Sequence, residues 1–312
     1  MSSRCALGLG CWAFGADYWH DQRREDSVRT LHAAIRGGIR HFDTAQGYGK
    51  GMSEQLLGQQ LRRFRNELHR SDYTIATKMF LPSDPAEVAP TVSVSLRRLC
   101  TDRIDILYIH WPDSKRDCRP YLEQMETLRR RGIVGSIGVS NFTPALLQSA
   151  SEVTEIGYCQ FPLSLLWMKS LERLSPLCAV RKIKTVAYSP LALGLLSGRY
   201  RSAADLAEGD RRRSLFPFSE PCHHAFLDLL EALGVLASQS KTDMATLAFL
   251  WVLAQGADIV LTGARTKEQL ERVLLSVESR VDSPVFDELT EIARSFGRCI
   301  EEHEDNPFFH RW

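Results

Sequence analysis

The sequence has almost no excess charge of either sign. Its 312 residues contain 39 lysines and arginines against 38 aspartates and glutamates, which gives a formal net charge of +1. Nucleic acids and acidic membrane surfaces attract proteins through a long-range positive field, and a balanced chain does not generate one. The composition therefore predicts a partner that is neither a nucleic acid nor a membrane.

Long apolar runs and closely spaced cysteines are also missing. The most apolar segment, Met244 to Ala254, is far shorter than the roughly 18 residues that a membrane-spanning helix needs. The N-terminal run from Cys5 to Ala16 imitates a secretory signal, but its glycines are poor helix formers, so we interpret it as a strand. The eight cysteines lack the spacing of zinc ligands or of a disulfide framework. These features predict a soluble cytoplasmic protein with reduced thiols and no metal.

The glycine pattern lacks the spacing of a Rossmann nucleotide site. The run from Gly8 to Gly15 begins with G-x-G, but its third glycine comes too late for G-x-G-x-x-G. This run therefore predicts a strand and its exit.

The sequence does contain a regular alternation of short strand-like runs with helical patterns. Each run is rich in β-branched or aromatic residues and stops at a small or polar residue, as strand–helix repeats do. The predicted strands are Ala6 to Gly10, Ile39 to Phe42, Tyr73 to Thr77, Ile104 to Ile109, Ser136 to Val139, Ile156 to Cys159, Lys184 to Ala187 and Ile259 to Leu261. Eight such strands favour an α/β fold of the (β/α)8 TIM barrel type over a doubly wound sheet, which more often has five or six strands.

Helix boundaries and domain organisation can also be predicted. Thr143 before Pro144 marks one helix start, and Thr266 with Gln269 predicts a capping box at another. No linker or composition break divides residues 1–312, so we expect a single domain. The segment 199–221 and the tail 297–312 interrupt the repeat, and we expect both to lie near the catalytic face.

Polar residues follow or end most of the predicted strands. In a (β/α)8 barrel the carboxyl ends of all strands open onto one face, so these side chains should converge there. They are Asp43, Lys78, His110, Ser140, Asn141, Gln160, Tyr188 and Ser189. Taken singly, each has an ordinary structural explanation such as a turn cap or an exposed charge. Together they predict an active site.

Three of these side chains, with a nearby tyrosine, have the chemistry of a proton donor for a carbonyl group. Tyr48 follows the strand that ends near Asp43, and a phenol with a pKa near 10 is a weak acid at neutral pH. An adjacent ammonium, Lys78, would lower that pKa, and Asp43 would supply the counter-charge that a buried lysine requires. His110 would donate a hydrogen bond that orients the substrate oxygen.

At these positions the sequence resembles the aldo-keto reductases. The matching motifs are Gly8-Leu-Gly-Cys-Trp12, Phe42-Asp-Thr-Ala45, Gln46-Gly-Tyr48-Gly49, Ser53-Glu54, Leu57-Gly58, Ala76-Thr-Lys78, Tyr108-Ile-His110-Trp-Pro-Asp113, Ile137-Gly-Val-Ser-Asn-Phe142, Ala187-Tyr-Ser-Pro-Leu191 and Gly263-Ala-Arg265. The resemblance extends from about residue 6 to about residue 280. It implies a (β/α)8 barrel that binds an extended nicotinamide cofactor without a Rossmann fold.

The resemblance also implies residue roles. The catalytic residues would be Asp43, Tyr48, Lys78 and His110. The cofactor-binding residues would be Gly10, Trp12, Asp43, Ser140, Asn141, Gln160, Tyr188, Ser189, Leu191, Gly263, Arg265 and Gln269. The substrate would contact Trp12, Tyr48, His110 and Trp111. Val273 departs from the family pattern, since an asparagine that reads adenine is frequent at that position.

Arg265 determines the expected cofactor. It directly precedes a helix capped by Thr266, where free backbone N–H groups already favour an anion, and its guanidinium adds bidentate recognition of a phosphate. We therefore expect NADPH rather than NADH. The basic segment Arg211 to Arg213 could also reach the cofactor phosphates if its loop folds over them.

The predicted function is NADPH-dependent reduction of an aldehyde or ketone, with the hydride from the nicotinamide and the proton from Tyr48. Two alternatives are a cofactor-binding regulatory protein, similar to channel β subunits, and a dehydrogenase acting on a sugar or alcohol. The substrate is a small carbonyl compound, and the oligomeric state is left open. Trp12, Trp19, Trp111 and the Phe308-Phe309 pair indicate either an aromatic-walled pocket or ordinary packing.

Overall fold

Eight parallel strands form the centre of the molecule. The computed structural model describes residues 6–19, 21–113 and 115–300. Its strands are β1 Ala6–Gly10, β2 His41–Asp43, β3 Thr74–Met79, β4 Ile104–Ile109, β5 Val134–Ser140, β6 Ile156–Pro162, β7 Lys184–Tyr188 and β8 Ile259–Gly263. Each strand pairs with the next, and β1 also pairs with β8, so the sheet closes. The predicted (β/α)8 barrel is confirmed.

The strand boundaries agree with the prediction or differ from it by one or two residues, except that β6 extends three residues further, to Pro162. The predicted second strand began at Ile39, whereas β2 begins at His41. The backbone N–H of Ile39 donates to the carbonyl of Ala34 at 2.9 Å. Ile39 therefore completes the turn after the preceding helix, although its side chain is buried as a strand residue's would be.

Helices surround the barrel, and all but the last two connect its strands. They are α1 Arg24–Arg36, α2 Met52–Arg63, α3 Val88–Leu99, α4 Arg119–Arg130, α5 Pro144–Val153, α6 Lys169–Arg181, α7 Cys222–Gln239, α8 Met244–Ala254, α9 Lys267–Ser276 and α10 Ser283–Gly297. In α1 the buried apolar residues are Leu31, Ala34 and Ile35, which share one face at helical spacing.

The predicted helix caps are present, with one correction. Thr143 accepts a hydrogen bond from the N–H of Leu146 at the start of α5. Thr266 caps α9 by accepting from the N–H of Gln269. The reciprocal bond of a capping box is absent, because the Gln269 side-chain oxygen accepts from the backbone N–H of Arg265 at 2.8 Å instead. This contact fixes the backbone of Arg265 against the first turn of α9.

The most apolar helix, α8, is covered by protein. Its residues from Leu247 to Val252 are all buried, and the indole Nε1 of Trp251 donates to Thr290 of α10 at 3.0 Å. Its apolar character therefore reflects burial within the fold. Among residues 6–19, 21–113 and 115–300, no helix is both long and apolar enough to cross a membrane.

The segment 199–221 lies between β7 and α7. It contains three short 3-10 turns, Ala203–Asp205, Arg211–Ser214 and Phe216–Phe218.

The C-terminal tail 297–312 is described only as far as Ile300, whose carbonyl accepts a hydrogen bond from Lys169 Nζ at 2.9 Å. Lys169 is the first residue of α6, and a helix that follows a barrel strand begins at the face where the strands' carboxyl ends open. The Phe308-Phe309 pair lies outside the described residues.

Candidate active site

The strand ends bring the four predicted catalytic residues together. Asp43 is the last residue of β2, Lys78 lies one residue before the end of β3, and His110 directly follows β4. Tyr48 begins a short turn between β2 and α2. Because neighbouring parallel strands end side by side, residues separated by about thirty positions in sequence meet at one place.

Lys78 connects Asp43 to Tyr48. Its ammonium forms an ion pair with Asp43 Oδ1, and it donates to the backbone carbonyl of Thr44 at 2.9 Å and to the hydroxyl of Tyr48 at 3.2 Å. The other oxygen of Asp43 accepts from Nε2 of Gln160 at 2.9 Å. Lys78 and Asp43 are almost completely buried. A buried ion pair is tolerated when its remaining donors and acceptors are satisfied, which is the case here.

The structure overturns the lowered pKa expected for Tyr48. Burial raises the pKa of Tyr48 well above its ordinary value, and the negative charge of Asp43 raises it further. Lys78 does not reverse this shift because its positive charge is balanced by the Asp43 carboxylate in direct contact with it. The prediction of a lowered pKa was therefore wrong. A phenol with a raised pKa keeps its proton at neutral pH and can donate it.

His110 lies against the edge of Tyr48. The two rings have centroids 5.6 Å apart and an interplanar angle of 78°. Burial and the positive charge of Lys78 hold the pKa of His110 well below its ordinary range. The imidazole is therefore neutral near pH 7 and carries a single N–H. It can donate one hydrogen bond without adding a positive charge to the site.

Close backbone contact fixes the turn that carries Tyr48. A Cβ atom added to Gly15 would lie 2.5 Å from the backbone nitrogen of Gly49 and 2.6 Å from the carbonyl carbon of Tyr48. Gly49 has φ +58°, and its N–H donates to Asp17 Oδ2 at 3.0 Å. The loop after β1 therefore packs directly against the backbone of the Tyr48 turn, and only a glycine at position 15 permits this close approach.

A second group of polar side chains joins the ends of β4, β5 and β7. Asn141 donates to the carbonyl of His110 and to the hydroxyl of Ser140, both at 3.0 Å, and it accepts from the hydroxyl of Tyr188 at 2.7 Å. Asn141 has φ +64°, a left-handed conformation that asparagine tolerates better than most residues. Register pairs Ser140 with Gln160 on the next strand. Hydroxyl and amide groups are thus held rigidly beside the Tyr48 and His110 pair.

One continuous cleft contains nearly all the predicted site residues. The residues proposed from sequence that line it are Gly10, Trp12, Asp43, Tyr48, His110, Trp111, Ser140, Asn141, Gln160, Tyr188, Ser189, Leu191, Gly263, Arg265 and Gln269. Lys78 is the exception, since it lies behind Asp43 and Tyr48. Trp19 and Val273 also line the cleft. In the described part of the chain, no group of three or more His, Cys, Asp or Glu side chains is placed to hold a metal ion.

Arg265 occupies one end of the cleft, next to the start of α9. Its guanidinium forms a 2.6 Å ion pair with Asp21 and donates to Gln22 Oε1 at 3.2 Å. It also lies over the ring of Trp19, 5.3 Å from the centroid. A cation at a helix N-terminus is unfavourable without an anion, and Asp21 provides that anion in the protein itself.

The segment after β7 contributes cleft residues that the sequence pattern indicates only in part. Tyr200 and Arg212 line the cleft, whereas Arg211 and Arg213 do not belong to its lining. The guanidinium of Arg212 lies between two aromatic rings, 5.0 Å from Trp19 and 4.7 Å from Tyr200, and it is paired with Asp210 at 2.6 Å. Of the basic triplet, therefore, only Arg212 faces the cleft, and its charge is already balanced.

Other cleft residues have no signal in the sequence. They include Leu193, Gly194, Ser197, Thr246, Phe249 and Arg272. These residues come from an irregular turn and from helices whose apolar patterns indicate burial but not the neighbour they are buried against. Only the tertiary arrangement identifies them.

Comparison with known proteins agrees with this geometry. The family model described as the aldo/keto reductase family matches residues 6–294. The aldo-keto reductase YhdN of Bacillus subtilis is 34% identical over 277 residues, which cover 85% of this chain and 82% of that protein. The NADH-specific methylglyoxal reductase of Escherichia coli is 28% identical over 313 residues, covering 91% and 94% of the two chains.

A solved structure shows the same arrangement of elements. The glycerol dehydrogenase of Gluconobacter oxydans superposes with a TM-score of 0.82 at 29% identity, covering 94% of this chain and 92% of that one. The family match covers almost the whole described barrel, and the resemblance inferred from the motifs is confirmed. The chain therefore belongs to the aldo/keto reductase family of NAD(P)H-dependent oxidoreductases.

Proposed function

We propose that this protein reduces an aldehyde or ketone with NADPH and that Tyr48 is the proton donor. The observation that carries this proposal is the hydrogen bond from Lys78 to the Tyr48 hydroxyl at 3.2 Å. An ammonium can only donate, so the phenol's own proton does not lie on this bond. It is available to an acceptor in the cleft, which is where a substrate oxygen would bind.

The other two residues of the group support this transfer. Asp43 balances the charge of Lys78, so the ammonium can be buried within reach of the phenol. When Tyr48 gives up its proton, the phenolate that forms is stabilised by the same ammonium. Neutral His110 donates a hydrogen bond to the substrate oxygen and directs its lone pair toward Tyr48. Trp12 and Trp111 border this end of the cleft and would contact the substrate.

The remaining cleft residues suit an extended nicotinamide cofactor. A bound reduced nicotinamide supplies the hydride that the carbonyl carbon receives. Ser140, Asn141 and Gln160 present hydroxyl and amide groups beside the catalytic residues, as the carboxamide of the nicotinamide requires, and Tyr188 offers an aromatic face. Gly10, Ser189, Leu191, Gly263 and Gln269 line the same cleft.

A preference for NADPH is supported by the basic end of the cleft. Arg265 and Arg272 both line it, and Arg265 lies immediately before the first turn of α9. A planar guanidinium group can bind two oxygens of one phosphate at the same time, so this end of the cleft suits a 2′-phosphate. Val273 also lines it, which leaves recognition of the adenine to apolar contact and Gln269.

The single-domain organisation and the cytoplasmic location remain part of this proposal. Tyr200 and Arg212 line the cleft, which supports placing the segment 199–221 at the catalytic face. Within the described ranges, six of the cysteines form no disulfide bond, namely Cys11, Cys100, Cys118, Cys159, Cys178 and Cys299. Unpaired buried thiols are typical of a reducing compartment.

Oxidation of an alcohol is the second candidate, and the similarity to a glycerol dehydrogenase favours it. The same four residues would serve, because a proton donor for a carbonyl is a proton acceptor for the corresponding alcohol. The two directions are distinguished by which cofactor form and which substrate give turnover.

A substrate panel tests the proposed function. Purified protein would be incubated with NADPH and a series of aldehydes, dicarbonyls, ketones and keto sugars, and in parallel with NADP+ or NAD+ and a series of polyols, with the nicotinamide absorbance recorded. The proposal predicts turnover of at least one carbonyl compound with NADPH at a higher kcat/KM than any polyol oxidation. Activity confined to polyols and NAD+ would contradict it.

A further inference from the structure

The carboxylate of Asp21 is bound to Arg265, the residue proposed above to bind the 2′-phosphate. Its carboxylate lies 2.6 Å from Nη2 of Arg265, and its side chain is 76% exposed whereas that of Arg265 is 31% exposed. The hydrogen bond from Arg265 holds the pKa of Asp21 below its ordinary value, so Asp21 is ionised at neutral pH. The carboxylate therefore reaches the guanidinium from the solvent side and neutralises it in the free protein.

A second ion pair lies close to this one. A second arginine in contact with the Trp19 ring, Arg212, is paired with Asp210 at 2.6 Å. Arg265 lowers the pKa of Asp21, whereas the negative charge of Asp210 raises it slightly. The two carboxylates therefore lie close enough to repel each other. At these two pairs an incoming dianion would meet two guanidinium groups that are already balanced by two carboxylates, with Arg272 as a further cation in the cleft lining.

We propose that Asp21 is a specificity-determining residue that reduces the preference for NADP(H) over NAD(H) by competing with the 2′-phosphate for Arg265. This inference rests on the proposed placement of the adenosine end of the cofactor beside Arg265. A phosphate monoester carries nearly two negative charges at pH 7 and must displace the Asp21 carboxylate or lie beside it.

Asp21 does not disfavour a 2′-hydroxyl group, which NAD(H) has in place of the 2′-phosphate. It is uncharged, so Asp21 does not repel it, and it can donate a hydrogen bond to a carboxylate oxygen, as ribose hydroxyls do to acidic residues in other nucleotide sites. Arg265 therefore favours the phosphorylated cofactor and Asp21 favours the unphosphorylated one. The pair as a whole makes the site less selective than Arg265 alone would be.

The experiment measures binding of NADP+ and NAD+ to the wild type and to two variants by isothermal titration calorimetry. Asp21→Asn removes the charge at the pair. Glu25→Gln is the matched control, because Glu25 is an exposed acid in the first turn of α1 and its loss changes the net charge equally. We expect Asp21→Asn to tighten NADP+ binding by about three- to tenfold and to leave NAD+ binding unchanged or weaker. Glu25→Gln should change either affinity by less than about twofold.

A third variant separates this inference from the proposed function. Arg265→Gln should weaken NADP+ binding by at least about tenfold, and adding Asp21→Asn to that variant should then leave NADP+ binding unchanged. If Arg265→Gln does not weaken NADP+ binding, the proposed phosphate site itself fails. If Arg265→Gln weakens it but Asp21→Asn alone leaves the ratio of the two affinities unchanged, the role of Asp21 is overturned and the phosphate site stands.

Discussion

The ammonium of Lys78 lies 3.2 Å from the hydroxyl of Tyr48 and is paired on its other side with Asp43. Both charged side chains are almost completely buried, with relative side-chain exposures of 1% and 3%. Removal of either one leaves the other as an isolated buried charge, which is among the most unfavourable changes that a protein interior can undergo. The proton donor and the stability of the barrel are therefore linked through one lysine.

Substitution of Lys78 by methionine tests this link. We expect the free energy of unfolding to fall by about 3 to 5 kcal/mol, because Asp43 loses its counter-charge. We also expect turnover to fall at least about 100-fold, because the phenolate of Tyr48 loses its stabilising ammonium. Urea denaturation and steady-state kinetics would measure the two effects. Lys184→Met, which removes an exposed lysine at the start of β7, should change neither.

The double variant Asp43→Asn with Lys78→Met separates the two effects. It removes both buried charges, so we expect it to recover part of the lost stability and none of the lost turnover. Recovery of turnover together with stability would mean that Lys78 acts only through folding.

Gly15→Ala tests the backbone support of Tyr48. The added methyl group would lie 2.5 Å from the backbone nitrogen of Gly49, and neither neighbour is a flexible side chain that could move aside. We expect the Tyr48 turn to shift, stability to fall by about 1 to 3 kcal/mol and kcat to decrease by more than about tenfold. Gly297→Ala, where an added Cβ has open space, is the control. An unchanged kcat in Gly15→Ala would show that the position of this turn does not limit the reaction.

His41 makes the stability of the barrel depend on pH. Burial lowers the pKa of His41 from 6.5 to about 4, and within the described structure its Nε2 atom is buried without a hydrogen-bond partner. The folded state therefore binds fewer protons than the unfolded state between these values. The contribution of His41 to stability is complete above pH 6.5 and decreases as the pH falls toward 4, by about 3 kcal/mol in total.

Urea denaturation between pH 7.5 and pH 4.5 checks this dependence. We expect His41→Gln to have a shallower decrease in stability over that range than the wild type. His224→Gln, which removes an exposed histidine beside Glu220, should leave the slope unchanged. Parallel pH profiles of His41→Gln and the wild type would show that His41 is not the group responsible.

The barrel and the centre of its site could be predicted because both depend on local sequence. Eight strand-like runs reveal the repeat, and in this fold the end of each run lies on the catalytic face whatever the packing around it. Asp43, Lys78 and His110 could therefore be placed together from their positions in the repeat. The direction of the Tyr48 pKa could not, because it depends on burial and on how completely Asp43 balances Lys78.

Contacts between distant loops could not be predicted. Asp21 and Arg265 are separated by more than two hundred positions, and neither belongs to a pattern that indicates its partner. The alternation of the chain identified the segment 199–221 as a loop, but the position of Arg212 between Trp19 and Tyr200 depends on how three loops pack together. Side chains on irregular segments have no periodicity from which their neighbours can be inferred.

Proton donation by Tyr48 underlies the whole proposed reaction, and Tyr48→Phe removes it with the least disturbance. This substitution deletes one oxygen atom, keeps the ring beside His110 and leaves the Lys78 and Asp43 ion pair in place. Turnover of the carbonyl substrate identified by the panel and the dissociation constant of NADP+ would be measured for the variant and the wild type. We expect kcat to decrease by at least about 1000-fold and the dissociation constant to change by less than about twofold. Retention of more than about a tenth of the wild-type kcat, with cofactor binding intact, would show that Tyr48 is not the proton donor.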